Sequence, residues 1–269
     1  MVKRIVRYIA LSTILLIMIF PLIWMFRISL MSAGESILVK NFVSSSVTFQ
    51  NYLDLFKQMK MGMYFFNSML VGLLVTLGNI LFCFMTAYSI SRYKSLSNKL
   101  LFSSVIFILM IPAHILIIPM YLLMVKLGIY DSYFALILPW LVNPIGIFLV
   151  KQYIDSLPSS MEEAARIDGA GEFRILFRIV MPLCKPVLAV LAIQIFFTNW
   201  NSFLFPFILT QSESIRTLPV ALALIQGHQS IDWQHLMAGS SIAVLPVLVI
   251  FLFMQRQIVS GITSGGIKQ

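Results

Sequence analysis

The sequence predicts an all-α, polytopic membrane protein of about six spans, and three observations predict it. Hydrophobic residues make up 59% of the 269 positions and charged residues only 11%, against about 25% charged in a soluble domain. Several apolar runs approach or exceed the roughly 20 residues that cross hydrocarbon as a helix, the geometry that satisfies every backbone polar group internally. The basic residues collect in alternate loops between those runs, as membrane topology requires. A net charge of +9 would suggest nucleic acid in a soluble chain. Its distribution here follows topology instead, so lipid is the expected surrounding and nucleic acid is not an expected partner.

The spans fall at about 8–27, 65–90, 100–125, 133–150, 183–209 and 238–255, within one transmembrane domain over 1–269. Lys3, Arg4 and Arg7 precede the first. Its apolar run exceeds the roughly 7–15 residues of a secretory signal, and no A-x-A site follows, so a retained helix is expected. The fourth run is short and carries Pro139, Asn143 and Pro144, which predicts a kinked or tilted helix. Residues 28–64 include Ser44, Ser45 and Ser46, then an amphipathic stretch near Tyr52, Leu53, Leu55 and Phe56. That stretch is expected on the membrane surface or against the bundle. No repeat, low-complexity tract or soluble second domain is visible.

Charge sidedness sets the direction. Arg92, Lys94 and Lys99 follow the second span; Lys151, Arg166, Arg174, Arg178 and Lys185 lie between the fourth and fifth; Arg256 and Lys268 follow the sixth. With the N-terminal cluster, all share one side. Arg27, Lys40, Lys57, Lys60, Lys126 and Arg216 are spread over the other, mostly in two longer loops. The positive-inside rule then places both termini and residues 151–186 in the cytoplasm.

Several chemistries lack residues to carry them. There is no G-x-x-x-x-G-K-[ST] phosphate loop, no H-E-x-x-H or other ligand set around His114, His228 and His235, and no G-x-S-x-G turn. Neither an enzyme nor a bound metal is expected. Cys83 and Cys184 have no metal spacing and read as inert thiols. Membrane-depth charges, usual in ion-coupled carriers, are nearly absent. His114, in Ile111-Pro112-Ala113-His114, either lines a polar path or bonds a neighbouring carbonyl.

The segment 151–182 is the richest. Pro158 ends the preceding helix, and Ser159 with Glu162 spells a capping box, so a helix is predicted to begin there. Met161, Ala164, Ala165 and Asp168 share a face by i, i+3, i+4, i+7 spacing. Gly169 and Gly171 end that helix. Phe173, Leu176, Phe177 and Val180 are expected to form the next apolar face, closed by Pro182. Spacing alone allows either an ordinary hairpin on the membrane or a docking element whose small alanines permit close approach.

A resemblance separates the two. Glu163-Ala164-Ala165, Gly169, Ile179 and Met181-Pro182 resemble the E-A-A-x₃-G-x₉-I-x-L-P signature of permease subunits of binding-protein-dependent ABC importers. Met181 for leucine is the one departure, and the two are similar in volume. Asn199-Trp200-Asn201-Ser202-Phe203-Leu204-Phe205-Pro206 looks like the W-N-x-F-L-x-P stretch of the carbohydrate-uptake, maltose-type branch. Asn51-Tyr52, Asn67-Ser68, Thr217-Leu218-Pro219-Val220, Leu236 to Ser240, Leu245-Pro246 and the Gln255 to Lys268 ending fit the same branch. The likeness covers essentially the whole chain and is strongest to the smaller, six-span permease.

The resemblance implies a type I ABC importer permease fold with a cytoplasmic coupling-helix loop. It implies a homologous permease partner, two ATPase subunits carrying ATP and Mg2+, and an extracytoplasmic sugar-binding protein, in a bacterial or archaeal cell membrane. Glu163, Ala164, Ala165, Asp168 and Gly169 would be the ATPase-coupling residues. Asn199, Trp200, Asn201 and His114 are candidates for the translocation path. The three at 199–201 could equally make helix–helix hydrogen bonds to the partner permease. The solute would be a sugar, of oligosaccharide size. A permease of this class for another solute, a stand-alone carrier and a membrane scaffold are the alternatives.

Overall fold

A computed structural model describes residues 2–32, 35, 47–225 and 232–266. Ser44, Ser45 and Ser46, Lys40, His228 and Lys268 lie outside the described residues. The order is α1 (Val2–Ser29), α2 (Gln50–Lys57), α3 (Met61–Arg92), α4 (Leu96–Leu109), α5 (Ile117–Lys126), α6 (Tyr133–Ile137), α7 (Pro144–Asp155), α8 (Ser160–Ile167), α9 (Glu172–Ile175), α10 (Met181–Leu183), α11 (Lys185–Trp200), α12 (Leu204–Leu209), α13 (Leu218–Ile225) and α14 (Trp233–Gly266). The chain is all-α. Among the described residues, β pairing is limited to one antiparallel bridge, Met31 with Val47. Four helical stretches are long and apolar enough to cross a membrane, or up to six if each of two bent pairs is one span.

The bends are where prolines and amides interrupt apolar runs. The run at 100–125 divides into α4 and a segment Ala113–Lys126, bent by 97°. Pro112 has no N–H to continue the ladder and disfavours helical backbone before it. The run at 133–150 breaks after a short turn at Leu138–Trp140. It restarts at Pro144, where the Asn143 side chain accepts from the Ile145 and Gly146 amides. The expected fifth run, 183–209, also divides. Asn201 ends α11: its backbone N–H completes the ladder to the Phe197 carbonyl, and its side-chain amide donates to the same oxygen at 2.8 Å. Pro206 then sits near the start of α12, where a missing N–H costs little. A second bend, of 78°, separates Glu172–Leu183 from Lys185–Trp200.

The chain forms two compact units. The first comprises residues 1–65 and 218–248. Along α1 most apolar side chains, including Leu16, Ile17 and Met18, are exposed, as on a lipid-facing helix. The amphipathic stretch is α2. Its Asn51 amide donates to the Ser29 and Met31 carbonyls at 2.8 Å each, and Leu55 is buried while Leu53 and Phe56 are exposed. Buried Gln234 of α14 reaches the Ser32 and Glu35 carbonyls.

The second unit comprises residues 66–217 and 249–269. Its core joins Cys83, Phe84 and Ala87 of α3, Val150 and Ile154 of α7, Ile175 of α9, and Leu188 and Leu191 of α11. Gly146 permits the close approach of three of these helices. A Cβ there would stand 2.9 Å from Leu191 Cδ1 and 3.1 Å from Cys83 Sγ. Buried Asn67 donates to the Ser214 and Arg216 carbonyls and accepts from the Tyr133 hydroxyl. The 210–217 loop is pinned again at Asp131, whose carboxylate accepts from the Gln211 and Ser212 amides and the Ser212 hydroxyl.

Candidate functional site

Two places in the second unit gather the residues singled out by sequence. The first is the 156–183 segment. After α7 the chain turns through Ser156–Ser159 into α8. Ser159 is the N-cap, but its side chain makes no cap bond to the backbone. The expected capping box does not form. The Ser159 hydroxyl instead donates to the Glu163 carboxylate at 2.7 Å. Glu162 is drawn inward, where Arg92 Nε donates to it at 2.7 Å and the Tyr88 hydroxyl at 3.2 Å. A bond to arginine that is charged on both sides, with the Tyr88 hydroxyl on the second oxygen, takes the place of the carboxylate's bond to a helix-end amide.

The helix ends as the glycine spacing requires. Gly169 has φ +81. Its N–H donates to the Arg166 carbonyl and that of Ala170 to the Ala165 carbonyl, the paired bonds of a Schellman stop. The following helix differs from expectation. Residues Leu176–Val180 form a wide π turn, which shifts the side-chain register. Ile175, Leu176 and Val180 are buried, Phe177 is half-buried, and Phe173 is 75% exposed. The helix continues past Pro182 to Leu183. The widened turn relieves the clash a proline makes with the carbonyl four residues before it.

The outward face of α8 carries Met161, Glu163, Ala164, Ile167 and Asp168, with Gly169 just beyond, all exposed; Ala165 is half-buried. A second ion pair braces the hairpin: Arg166 Nε donates to Glu172 at 2.7 Å. That carboxylate also accepts from Tyr93 at 2.8 Å. Its hydrogen bond raises both the Arg166 guanidinium and the Tyr93 hydroxyl above their ordinary pKa ranges. The surface is thus a mixed apolar and acidic knob, held by two ion pairs.

The second place is a cavity of about 350 Å³. His114, from the turn between α4 and α5, and Asn199 and Asn201, from the end of α11, all line it. Trp140, Asn79, Asn143 and Thr198 join them. Trp140 packs edge-on to Phe205, with centroids 4.6 Å apart, and its carbonyl accepts from the Asn79 amide. Trp200 does not line the cavity. It is 3% exposed and stacks on Phe196 at 5.7 Å. The cavity wall is mostly apolar, with Val75, Val142, Ile195 and Leu204 among its residues, and sets amide, hydroxyl and imidazole groups beside an aromatic face.

Sequence reasoning left out Tyr88, Arg92, Tyr93 and Glu172. Arg92 stood out only as a loop charge. The available signal for Asn79 was a buried-type amide within an apolar run, which faces protein rather than lipid. Trp140 carried no distinguishing pattern.

Residues 79–264 match the family described as the inner membrane component of binding-protein-dependent transport systems. The chain is 37% identical over 223 residues to the arabinooligosaccharides transport system permease protein AraQ of Bacillus subtilis (strain 168), covering 82% of this chain and 79% of that one. It is 32% identical over 271 residues to the trehalose/maltose transport system permease protein MalG of Thermococcus litoralis, covering 99% and 97%. A crystal structure of a bacterial ABC transporter involved in import of the acidic polysaccharide alginate contains a chain of the same fold. That likeness has a TM-score of 0.81 at 23% identity, over 95% of this chain and 96% of that one. A helical membrane chain with a stopped, outward-facing Glu-Ala-Ala helix, matched over most of its length, belongs to the family of binding-protein-dependent transport system inner membrane components.

Proposed function

We propose that the chain is a transmembrane subunit of an ATP-driven importer for a sugar of oligosaccharide size. A homologous permease completes the path. An extracytoplasmic binding protein delivers the solute, and α8 docks on an ATPase subunit. The observation that carries the coupling role is the α8 knob. Glu163, Ala164, Ile167 and Asp168 face outward on a helix whose opposite side is fixed by buried Glu162. Glu163 and Asp168 offer carboxylates to donors in a cleft, and Ala164 allows close approach. ATP drives transport by binding the closed ATPase dimer more tightly, and the docked helices then rock the permeases between inward- and outward-facing states.

The sugar assignment is supported by the relatives, whose names specify arabinooligosaccharides and trehalose/maltose, and by the amide and aromatic lining of the cavity. His114, Asn199 and Asn201 are assigned to the path. The chain sits in the cell membrane with both termini and α8 on the cytoplasmic side, following charge sidedness. Catalysis, ATP and Mg2+ belong to the ATPase partners. The test is affinity purification in mild detergent, followed by thermal shifts of the cognate binding protein against a sugar panel. A second permease and an ATPase are expected in the complex, with a shift from an oligosaccharide. A chain that purifies alone and transports alone would overturn the proposal.

A further inference from the structure

The last turns of α3 act on every part of the α8 hairpin. Ser91 donates to Asp155 at the end of α7, Arg92 Nη2 donates to the Leu157 carbonyl in the turn, and Arg92 Nε donates to Glu162 of α8. The Tyr88 hydroxyl reaches Glu162 at 3.2 Å and Glu172 at 3.5 Å. The Arg92 and Glu162 side chains are only 13% and 4% exposed. A charge pair withdrawn from water is tolerated only when its remaining donors and acceptors are also satisfied. Here each Glu162 oxygen has a partner.

The other end of the same helix stretch reaches the cavity. From Arg92 back to Asn79, α3 runs unbroken and rises about 20 Å. The Asn79 amide is bonded to the Trp140 carbonyl in the cavity wall. Without the buried pair, α8 would keep the turn before Ser160, the glycine turn at 169–171, the more exposed Arg166–Glu172 pair and the packing of Ala165 on the core, but no charge pair of its own to α3. With the pair in place, α8 and α3 cannot move apart without exposing an unpaired buried charge.

We propose that Arg92 and Glu162 are positioning residues, a buried clamp that makes α8 and α3 one body and carries α8 displacement to Asn79 and Trp140. This rests on the coupling role proposed for α8. The test uses the assembled transporter in proteoliposomes and reads solute moved per ATP hydrolysed, alongside stimulated ATPase rate. Glu162→Gln and Arg92→Met complexes are expected to hydrolyse ATP within about twofold of wild type while solute per ATP falls about tenfold, a coupling loss within the usual range. Arg92→Lys, which keeps the charge, is expected to recover part of that loss.

An unchanged ratio in both variants would overturn the clamp, as would ATPase and uptake falling in equal proportion, the mark of a merely structural role. If either variant fails to assemble, Tyr88→Phe removes one hydroxyl from Glu162 and is expected to lower the ratio about threefold; no change there would overturn the clamp. Glu163→Lys separates the two levels. If the coupling role itself is wrong, Glu163→Lys transports normally. If only the clamp is wrong, Glu163→Lys is inactive while Glu162→Gln keeps the wild-type ratio.

Discussion

Replacing Gly169 isolates a backbone effect from a packing effect. Its φ is +81, and a Cβ placed there meets nothing within 4 Å. Any cost is therefore conformational. An L-residue in the left-handed region costs about 1–2 kcal/mol, and Gly→Ala returns about 0.4–1 kcal/mol by stiffening the unfolded chain. Gly169→Ala should thus disfavour the stopped turn by about 1 kcal/mol, roughly a fivefold change in population. Gly169→Asn should cost less, because asparagine tolerates this conformation. Gly169→Pro locks φ near −65° and removes the N–H that donates to the Arg166 carbonyl at 3.0 Å, a penalty of about 3 kcal/mol or more. That is on the order of a hundredfold. The assay is solute uptake by expression-matched, membrane-inserted variants. The expected order is Gly, Asn, Ala, Pro, with uptake abolished in the last. Normal uptake by a properly inserted Gly169→Pro protein would refute the reasoning.

Alanine at Asn199 or Asn201 is expected to change solute range or uptake rate while binding-protein-stimulated ATPase persists; unchanged range and rate would reassign both amides to helix–helix contacts. Trp200→Ala, at a 3% exposed position, is expected to act through stability, by about 3–5 kcal/mol, read as a lowered thermal midpoint in detergent. Burial alone would raise the Asp131 carboxyl, but hydrogen bonds from the Ser212 hydroxyl and the Ser212 and Gln211 amides, with the Arg216 charge, hold it below its ordinary range. A depressed folded-state pKa stabilises above the unfolded value of about 3.9 and is lost as pH falls through the folded one. Asp131→Asn is therefore expected to lower the thermal midpoint at neutral pH and to match wild type in strong acid.

That the apolar runs become helices was legible because lipid imposes length and polarity on any spanning helix; against the six runs expected, four stretches are long and apolar enough to cross, or up to six if each bent pair is one span. The stop at Gly169 was legible because local spacing determines it. The breaks within the runs were less so. Pro139, Asn143 and Pro144 announced an interruption, but Asn201 looked like one more residue of a span, and its spacing did not announce that it is the C-cap of α11. Glu162 was misread for a similar reason. A capping box is a local pattern, whereas its partners Arg92 and Tyr88 lie some seventy residues away. Phe173, in the short α9 before the π turn, lies on the surface rather than in the expected core. In the cavity, His114, Asn199 and Asn201 came together, while Trp200 is buried and stacks on Phe196.

The central claim is that the outer face of α8 meets an ATPase. A photo-reactive residue at Ile167, which is 87% exposed, tests it inside the cell. The account expects a crosslinked product with an ATP-binding subunit, weakened when Glu163→Lys is added. Efficient incorporation with crosslinks to lipid alone, or to a protein without ATPase activity, would contradict it.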